Sequence, residues 1–348
     1  MLVKYMSTFF IAEAGVNHNG NDELALRLVE TAHKCGADAV KFQTFSAEKL
    51  VRKGAEKAEY QKHATSDGDQ FSMLKNLEMS EALHRKLIAR CDELGIEFMS
   101  TPFDEEAADF LVLLGMKHIK VASGEITNHL FIAHLASKNV PMILSTGMAT
   151  MEEIGEAVAV VRAERVARHF LEPLESMLTI LHCTSNYPAA FSDVNLRAMA
   201  TIRAETGLPT GYSDHTLGTT VSVAAVALGA SVIEKHFTLD RNMPGPDHKA
   251  SLEPEELTDL IRCIREVEVS LGSAVKQPNA SELPVRELVR RSVTLVGDVV
   301  EGEILTAAHL ALKRPGNGIP PRDFASVVGR RAAITMSAGQ TLVWSDLG

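Results

Sequence analysis

Two histidines stand where metal chemistry is possible. His215 lies in GYSDHT (211–216) and His236 in SVIEKHF (231–237), each at the end of a short apolar run that reads as a strand. Imidazoles at the tips of neighbouring strands can reach one divalent cation and leave coordination positions open for substrate oxygens. Asp247 in GPDHK could add an outer contact, directly or through water. The plainer alternative is two hydrogen-bonded histidines without a metal. Lys41 and Lys120 also follow apolar residues in runs that read as strands. A lysine buried at a strand end needs a counter-ion. A bound phosphate or carboxylate would serve, with Thr101, Ser123, Ser185 and Ser213 adding hydroxyl donors. A protein carboxylate such as Glu13 or Glu125 would serve as well.

These residues need a frame that gathers strand ends. β-rich runs fall at 9–15, 39–45, 97–103, 118–124, 140–147, 178–184, 210–216 and 231–237, separated by amphipathic segments. In NDELALRLVETAHKCG, Asn21 reads as an N-cap, with Asp22 and Glu23 in the first turn. Leu24, Leu28, Ala32 and Cys35 share a face, and Gly36 ends the helix. Ser80 and Thr150 read as caps of later helices. Eight strand–helix units predict an α/β fold, a (β/α)8 TIM barrel. An open doubly wound sheet is the alternative, weakened because no GxGxxG follows the first strand. In a barrel the site lies at the carboxyl ends of the strands. Those ends carry Glu13, Lys41, Gln43, Thr101, Lys120, Ser123, Glu125, Ser145, Thr146, Thr184, Ser185, Ser213, Asp214, His215, Glu234 and His236. Glu234 is expected to partner a lysine inside, whereas Lys235 should face the opposite way. Residues 46–95 exceed one helix and predict a loop or lid carrying Tyr60 and Gln61.

The rhythm changes after residue 280. RRSVTLVGDVVEGEILTAAHL (290–310) is echoed by RRAAITMSAGQTLVWSDL (330–347). This predicts a barrel domain over 1–280 and a small, mainly β domain over 281–348. KRPGNGIPP (313–321) reads as an exposed loop presenting Lys313 and Arg314. Its GNG is not a phosphate loop. Met148 and Met151 read as packing, and Cys183 as inert core.

Composition narrows the function. A net charge of −10 argues against a general nucleic-acid binder. The four cysteines form no CxxC pair, which argues against a zinc knuckle or a disulfide framework. No signal-peptide pattern or membrane-length apolar stretch is read, so a cytoplasmic protein is expected.

IAEAGVNHNG, VKFQTF, STPFD, ASGEITN, ILSTGMAT, LHCTSNYPAAFSDVNL, GYSDHT, VIEKHFTLD, GPDHKASLEP and KRPGNG, in this order, resemble the sialic acid (N-acetylneuraminate) synthase family, which includes legionaminate and pseudaminate synthases. The resemblance covers nearly the whole chain and extends to the family's C-terminal SAF (antifreeze-like) domain. It implies a TIM barrel followed by that domain, in a homodimer where each SAF domain covers the partner's barrel mouth. It implies condensation of phosphoenolpyruvate (PEP) with an N-acylated mannosamine-type aldose, releasing phosphate. The acceptor would be N-acetylmannosamine or 2,4-diacetamido-2,4,6-trideoxymannose, with GYSDHT and GPDHKASLEP leaning to the second. By motif, Lys41, Thr101, Lys120, Ser123 and Ser213 would hold PEP. His215 and His236 would bind a divalent ion, Mn2+ before Mg2+ or Co2+. Glu13, Gln43, Glu125, Tyr187 and Asp247 would contact or orient the sugar, with Glu13 or Glu125 managing proton transfer. Arg314 would reach the N-acyl group from the other subunit. Some members carry Asn directly after HCT, so Ser185 and Asn186 are alternatives for the phosphate contact. Competing readings are a PEP aldol-type synthase acting on erythrose 4-phosphate and a non-catalytic glycan-binding protein.

Overall fold

A computed structural model describes residues 7–57 and 68–348. The chain forms two compact units, Met1–Gly272 and Ser273–Gly348. Tyr60 and Gln61, expected in a lid, lie outside the described residues.

The first unit is built on eight strands: β1 (Phe9–Gly15), β2 (Ala39–Thr44), β3 (Glu97–Pro102), β4 (Ile119–Val121), β5 (Met142–Ser145), β6 (Leu178–Cys183), β7 (Thr210–Asp214) and β8 (Val232–His236). Their hydrogen-bonded order is β3-β2-β1-β8-β7-β6-β5-β4, and each hydrogen-bonded pair in that order is parallel. The first strand pairs with the last, and β3 packs beside β4, so the sheet curls into a TIM-type barrel.

Helices cover the outside because one face of each strand is apolar. The helix Asp22–Cys35 starts where Asn21 accepts from the Leu24 amide and stops at Gly36, in the left-handed conformation (φ 88°) that an unbranched backbone tolerates. It buries Ala25, Leu28, Val29, Ala32 and Cys35. Leu24, expected on that face, is not among them. Ser80 and Thr150 cap the helices Glu81–Leu94 and Met151–Ala167 as expected, the second through a reciprocal capping box with Glu153. Several helices lie between β2 and β3, including Ala47–Leu50, Gln70–Lys75 and Glu81–Leu94.

Alternation along the strands produces two stacked inner layers. Ile11, Ala39, Met99, Ile143, Leu181 and Val232 form an apolar plug inside the barrel. Two residues further along each of those strands stand Glu13, Lys41, Thr101, Ser145, Cys183 and Glu234, on the same face. On β7 the corresponding step runs from Gly211 to Ser213. A Cβ on Gly211 would stand 2.3 Å from the Val232 carbonyl oxygen, so this strand contributes no side chain to the plug.

The second unit pairs β9 (Ser292–Leu295) antiparallel with β10 (Leu310–Lys313). Single bridges then link Thr294 to Thr341, Val299 to Met336 and Ile304 to Arg331. Each step of five residues along the first echo sequence is matched by five back along the second. The two echoes are therefore antiparallel partners around a core that includes Val293, Leu295, Val299, Leu305 and Leu342.

Candidate active site

The polar layer above the plug opens into a cavity of about 260 Å3. Of the residues to which the family resemblance gives a role, Glu13, Lys41, Gln43, Thr101, Lys120, Ser123, Ser185, Tyr187, Ser213, His215 and His236 line it. Four do not. Glu125 sits in the 3-10 turn Ser123–Glu125, with Oε2 accepting from Asn128 Nδ2. Asn186 is exposed, and its Oδ1 accepts from the Tyr187 amide. Asp247 lines an adjoining cavity with Gln43, Tyr187 and His236. Arg314 is exposed in the second unit.

Two buried lysines face two buried carboxylates. Lys41 Nζ lies 2.7 Å from Glu13 Oε2 and 3.5 Å from Glu234 Oε2, and donates to Thr101 Oγ1 at 3.0 Å. Lys120 Nζ donates to Ser145 Oγ at 2.7 Å and lies 3.7 Å from Glu234 Oε1. Glu234 Oε1 also accepts from Ser213 Oγ at 2.9 Å. Both lysines therefore have protein carboxylates beside them, with Glu234 rather than Glu125 serving both. Burial pushes Glu13 up to about 7, opposed by Lys41 and reinforced by the Glu234 charge. Burial acts on Glu234 in the same sense, but Lys120 and Lys41 outweigh it and hold that carboxyl down at about 2. Burial lowers Lys120, with Glu234 opposing. The site is thus charged on both signs and enclosed, which makes its electrostatics strong.

The histidines form the second half of the site. Their ring centroids are 5.5 Å apart, and the Tyr187 ring stands 4.1 Å from His215 and 5.6 Å from His236. His215 lies one residue past the end of β7. Its Nδ1 is 2.7 Å from the Thr184 carbonyl, so Nδ1 carries a proton, and in the neutral ring the lone pair is on Nε2. His236 Nδ1 is buried without a hydrogen-bond partner among the described residues. Burial, then His215 and Lys41, lowers His236 well below its usual value and keeps it neutral. Asp247 Oδ2 is 3.9 Å from that nitrogen. A neutral, buried imidazole lacking a partner suits a cation. No group of three or more His, Cys, Asp or Glu donors converges among the described residues. Such an ion would therefore draw its remaining ligands from substrate and water.

Some strand ends differ from expectation. β4 stops at Val121, which places Ser123 in the following turn, where its Oγ accepts from the Gly147 amide at 3.0 Å. A Cβ on Gly147 would stand 2.1 Å from Ser185 Oγ, so this glycine admits the serine to the cavity wall. Asp214 points away from the mouth and pairs at 2.9 Å with Lys235, which is buried outside the ring. Met148, read as packing, is exposed and lines the mouth at φ 67°. Cys183, read as inert core, is buried on the cavity wall beside Ser123 and His215. Ser145 is expected only as one of the polar strand ends, with no role assigned, and Cys183 is not expected in the site. Their place two positions beyond Ile143 and Leu181 is the signal that finds them.

Comparison with known proteins agrees with this architecture. Residues 28–276 match the profile of the NeuB family, and residues 290–348 match the SAF domain. The chain belongs to the NeuB family. This NeuB-family protein is 52% identical over 343 residues to an N,N'-diacetyllegionaminic acid synthase of Legionella pneumophila, covering 98% of this chain and 95% of that one. It is 46% identical to the enzyme of the same name from Campylobacter jejuni, over 93% of this chain and 96% of that one. Among solved structures it resembles an N-acetylneuraminic acid (sialic acid) synthetase from Leptospira borgpetersenii crystallised with citrate. The identity is 34% and the TM-score 0.70, over 80% of this chain and 90% of that chain.

Proposed function

We propose that this NeuB-family protein condenses PEP with an N-acylated mannosamine-type aldose, forming a nine-carbon 2-keto acid and releasing phosphate. The acceptor best supported is 2,4-diacetamido-2,4,6-trideoxymannose, because two relatives at 52% and 46% identity are N,N'-diacetyllegionaminic acid synthases. The observation that carries the proposal is the convergence of Lys41, Lys120, His215 and His236 on one cavity.

PEP brings a carboxylate and a phosphate, and Lys41 and Lys120 bind and orient these groups. Thr101, Ser123 and Ser213 add hydroxyl donors; of the alternatives Ser185 and Asn186, Ser185 is favoured for the phosphate contact, because it lines the cavity while Asn186 is exposed. These donors are already fixed by strand ends, so little reorganisation is needed as charge moves. C3 of PEP attacks the acceptor's aldehyde carbon, water adds at C2, and the adduct expels phosphate. Glu13 takes or returns the proton of that water, since it is buried in the cavity and its affinity for a proton is raised. Tyr187, Gln43 and Asp247 orient the sugar. His215 and His236 would hold the divalent ion, Mn2+ before Mg2+ or Co2+. When bound, the ion polarises the aldehyde as a Lewis acid.

The proposal includes a homodimer in which Arg314 of each subunit reaches the N-acyl group at the other's site. It also implies a cytoplasmic enzyme, consistent with four free cysteines. No helix among the described residues is long and apolar enough to cross a membrane. The direct test is incubation with PEP, Mn2+ and each sugar, followed by measurement of phosphate and keto acid. Stoichiometric release of both is expected; no release with any acylated hexosamine overturns the proposal.

A further inference from the structure

Beside the main cavity lies a second one of about 100 Å3, and the two share Gln43, Tyr187 and His236 as walls. Its far side is apolar, formed by Val16, Met73, Leu74, Leu77 and Pro246. Val16 and Leu77 are buried in a small cluster of their own, packed by Met73 and Leu74. The short helix Gln70–Lys75 that carries Met73 and Leu74 is fixed at its start. Asp69 accepts from the Ser72 amide at 2.9 Å and from the Gly54 amide at 2.7 Å. Just beyond its end, a Cβ on Gly20 would come within 2.5 Å of the Asn76 carbonyl, so the β1 loop packs directly against this segment.

The two cavities differ in the chemistry they accept. The lysine-lined cavity suits a molecule with two anionic groups. Among the described residues the neighbouring cavity has no lysine or arginine in its lining: the shared walls and Asp247 form its polar side, and the opposite side offers carbon to its occupant. An aldose with its aldehyde at His236 must extend away from the PEP half, and the shared wall at Gln43 and Tyr187 leads into this space. We propose that Val16, Met73, Leu74 and Leu77 form a specificity-determining subsite for the distal end of the acceptor, packing its C6 methyl and C4 acetamido methyl. A hydroxymethyl at C6 packed on these four side chains would set its hydroxyl against carbon, across the cavity from Asp247 and Gln43, and it is disfavoured for that reason. This inference rests on the functional reading above and adds the residues that choose the sugar.

Two measurements test it. On the unaltered protein, 6-deoxy-N-acetylmannosamine should show a kcat/KM about 10-fold above that of N-acetylmannosamine, in the range a single hydroxyl decides in an apolar pocket. Equal values overturn the inference. In Met73→Gln and Leu74→Gln, the ratio of kcat/KM for the diacetamido trideoxy sugar to that for N-acetylmannosamine should fall at least about 10-fold. Both side chains are only half-buried, so folding should survive, and the thermal midpoint and PEP affinity of each variant confirm it. An unchanged ratio in folded variants overturns the inference while leaving the functional reading intact. Absence of turnover by the unaltered protein with every sugar overturns both.

Discussion

Glu234 touches both lysines of the site, lying 3.5 Å from Lys41 Nζ and 3.7 Å from Lys120 Nζ through its two oxygens. It stands two residues before His236 on the same strand, so one strand face serves both the cationic half and the imidazole half. With Glu13 it balances the two ammonium charges inside the barrel.

Breaking one member of this group should cost more than removing a matched pair. Lys41→Met is expected to destabilise the protein by about 3–5 kcal/mol, since it strands a buried carboxylate. Adding Glu13→Gln should recover part of that loss. Denaturant titration of the two singles and the double gives the coupling. Phosphate release by Lys41→Met should fall by roughly 100- to 1,000-fold or more.

Stability should depend on pH through Glu13. Its folded-state value of about 7 lies above the ordinary 4.5, so the folded protein holds the proton more tightly. The stabilisation is whole below pH 4.5 and is lost as pH rises through about 7. His18 acts oppositely: burial lowers it to about 4, so its contribution is lost as pH falls from 6.5 towards 4. Comparing the parent with Glu13→Gln isolates the first effect. Relative to the parent, the variant should gain on the order of 3 kcal/mol between pH 4.5 and 8. A pH-independent difference would contradict the shift.

Chelation should abolish phosphate release, and added Mn2+ should restore it. In His236→Ala, Mn2+ should not restore it. Calorimetric Mn2+ affinity should fall by more than the roughly 10- to 100-fold typical of losing an outer partner. Asp247→Asn should stay within that smaller range.

Subunit mixing tests the proposal that Arg314 acts at the other subunit's site. Arg314→Ala and Lys41→Met should each be poorly active alone. If Arg314 serves the neighbouring site, mixed dimers carry one intact site, and an equal mixture regains up to about a quarter of parental activity. Sites confined to one chain would show the same recovery only if Arg314 were dispensable, which the single variant excludes.

Gly211→Ala should destabilise by about 1–3 kcal/mol, because the added methyl meets Val232 backbone and Leu181 inside the plug. Thermal unfolding measures it.

Much of this was legible in the sequence because period-two patterning is local. All eight strands stand within the runs read from it, and Asn21, Ser80 and Thr150 cap as their side chains dictate. The exact ends were less legible. Ser123 and His215 lie just past strands that were read as longer, since hydrogen bonding in the ring, rather than propensity, decides where a strand stops. Glu125 illustrates the limit: one turn of 3-10 helix carries it out of the cavity lining. The opposing faces of Asp214 and Lys235 follow from pleat alternation, but their direct pairing depends on the distance between β7 and β8. Met73 and Leu74 could not be placed, because their contact with Val16 joins distant segments.

The step of two from plug to polar layer carries an evolutionary constraint. Deleting one residue between Ile11 and Glu13, or between Val232 and Glu234, would turn the carboxylate toward the helices and a hydrocarbon toward the reactants. Length variation should therefore be confined to the connections, where added residues leave this parity intact. A library of single-codon deletions scanned across the gene would display it as a narrow intolerant window on each strand that carries the step.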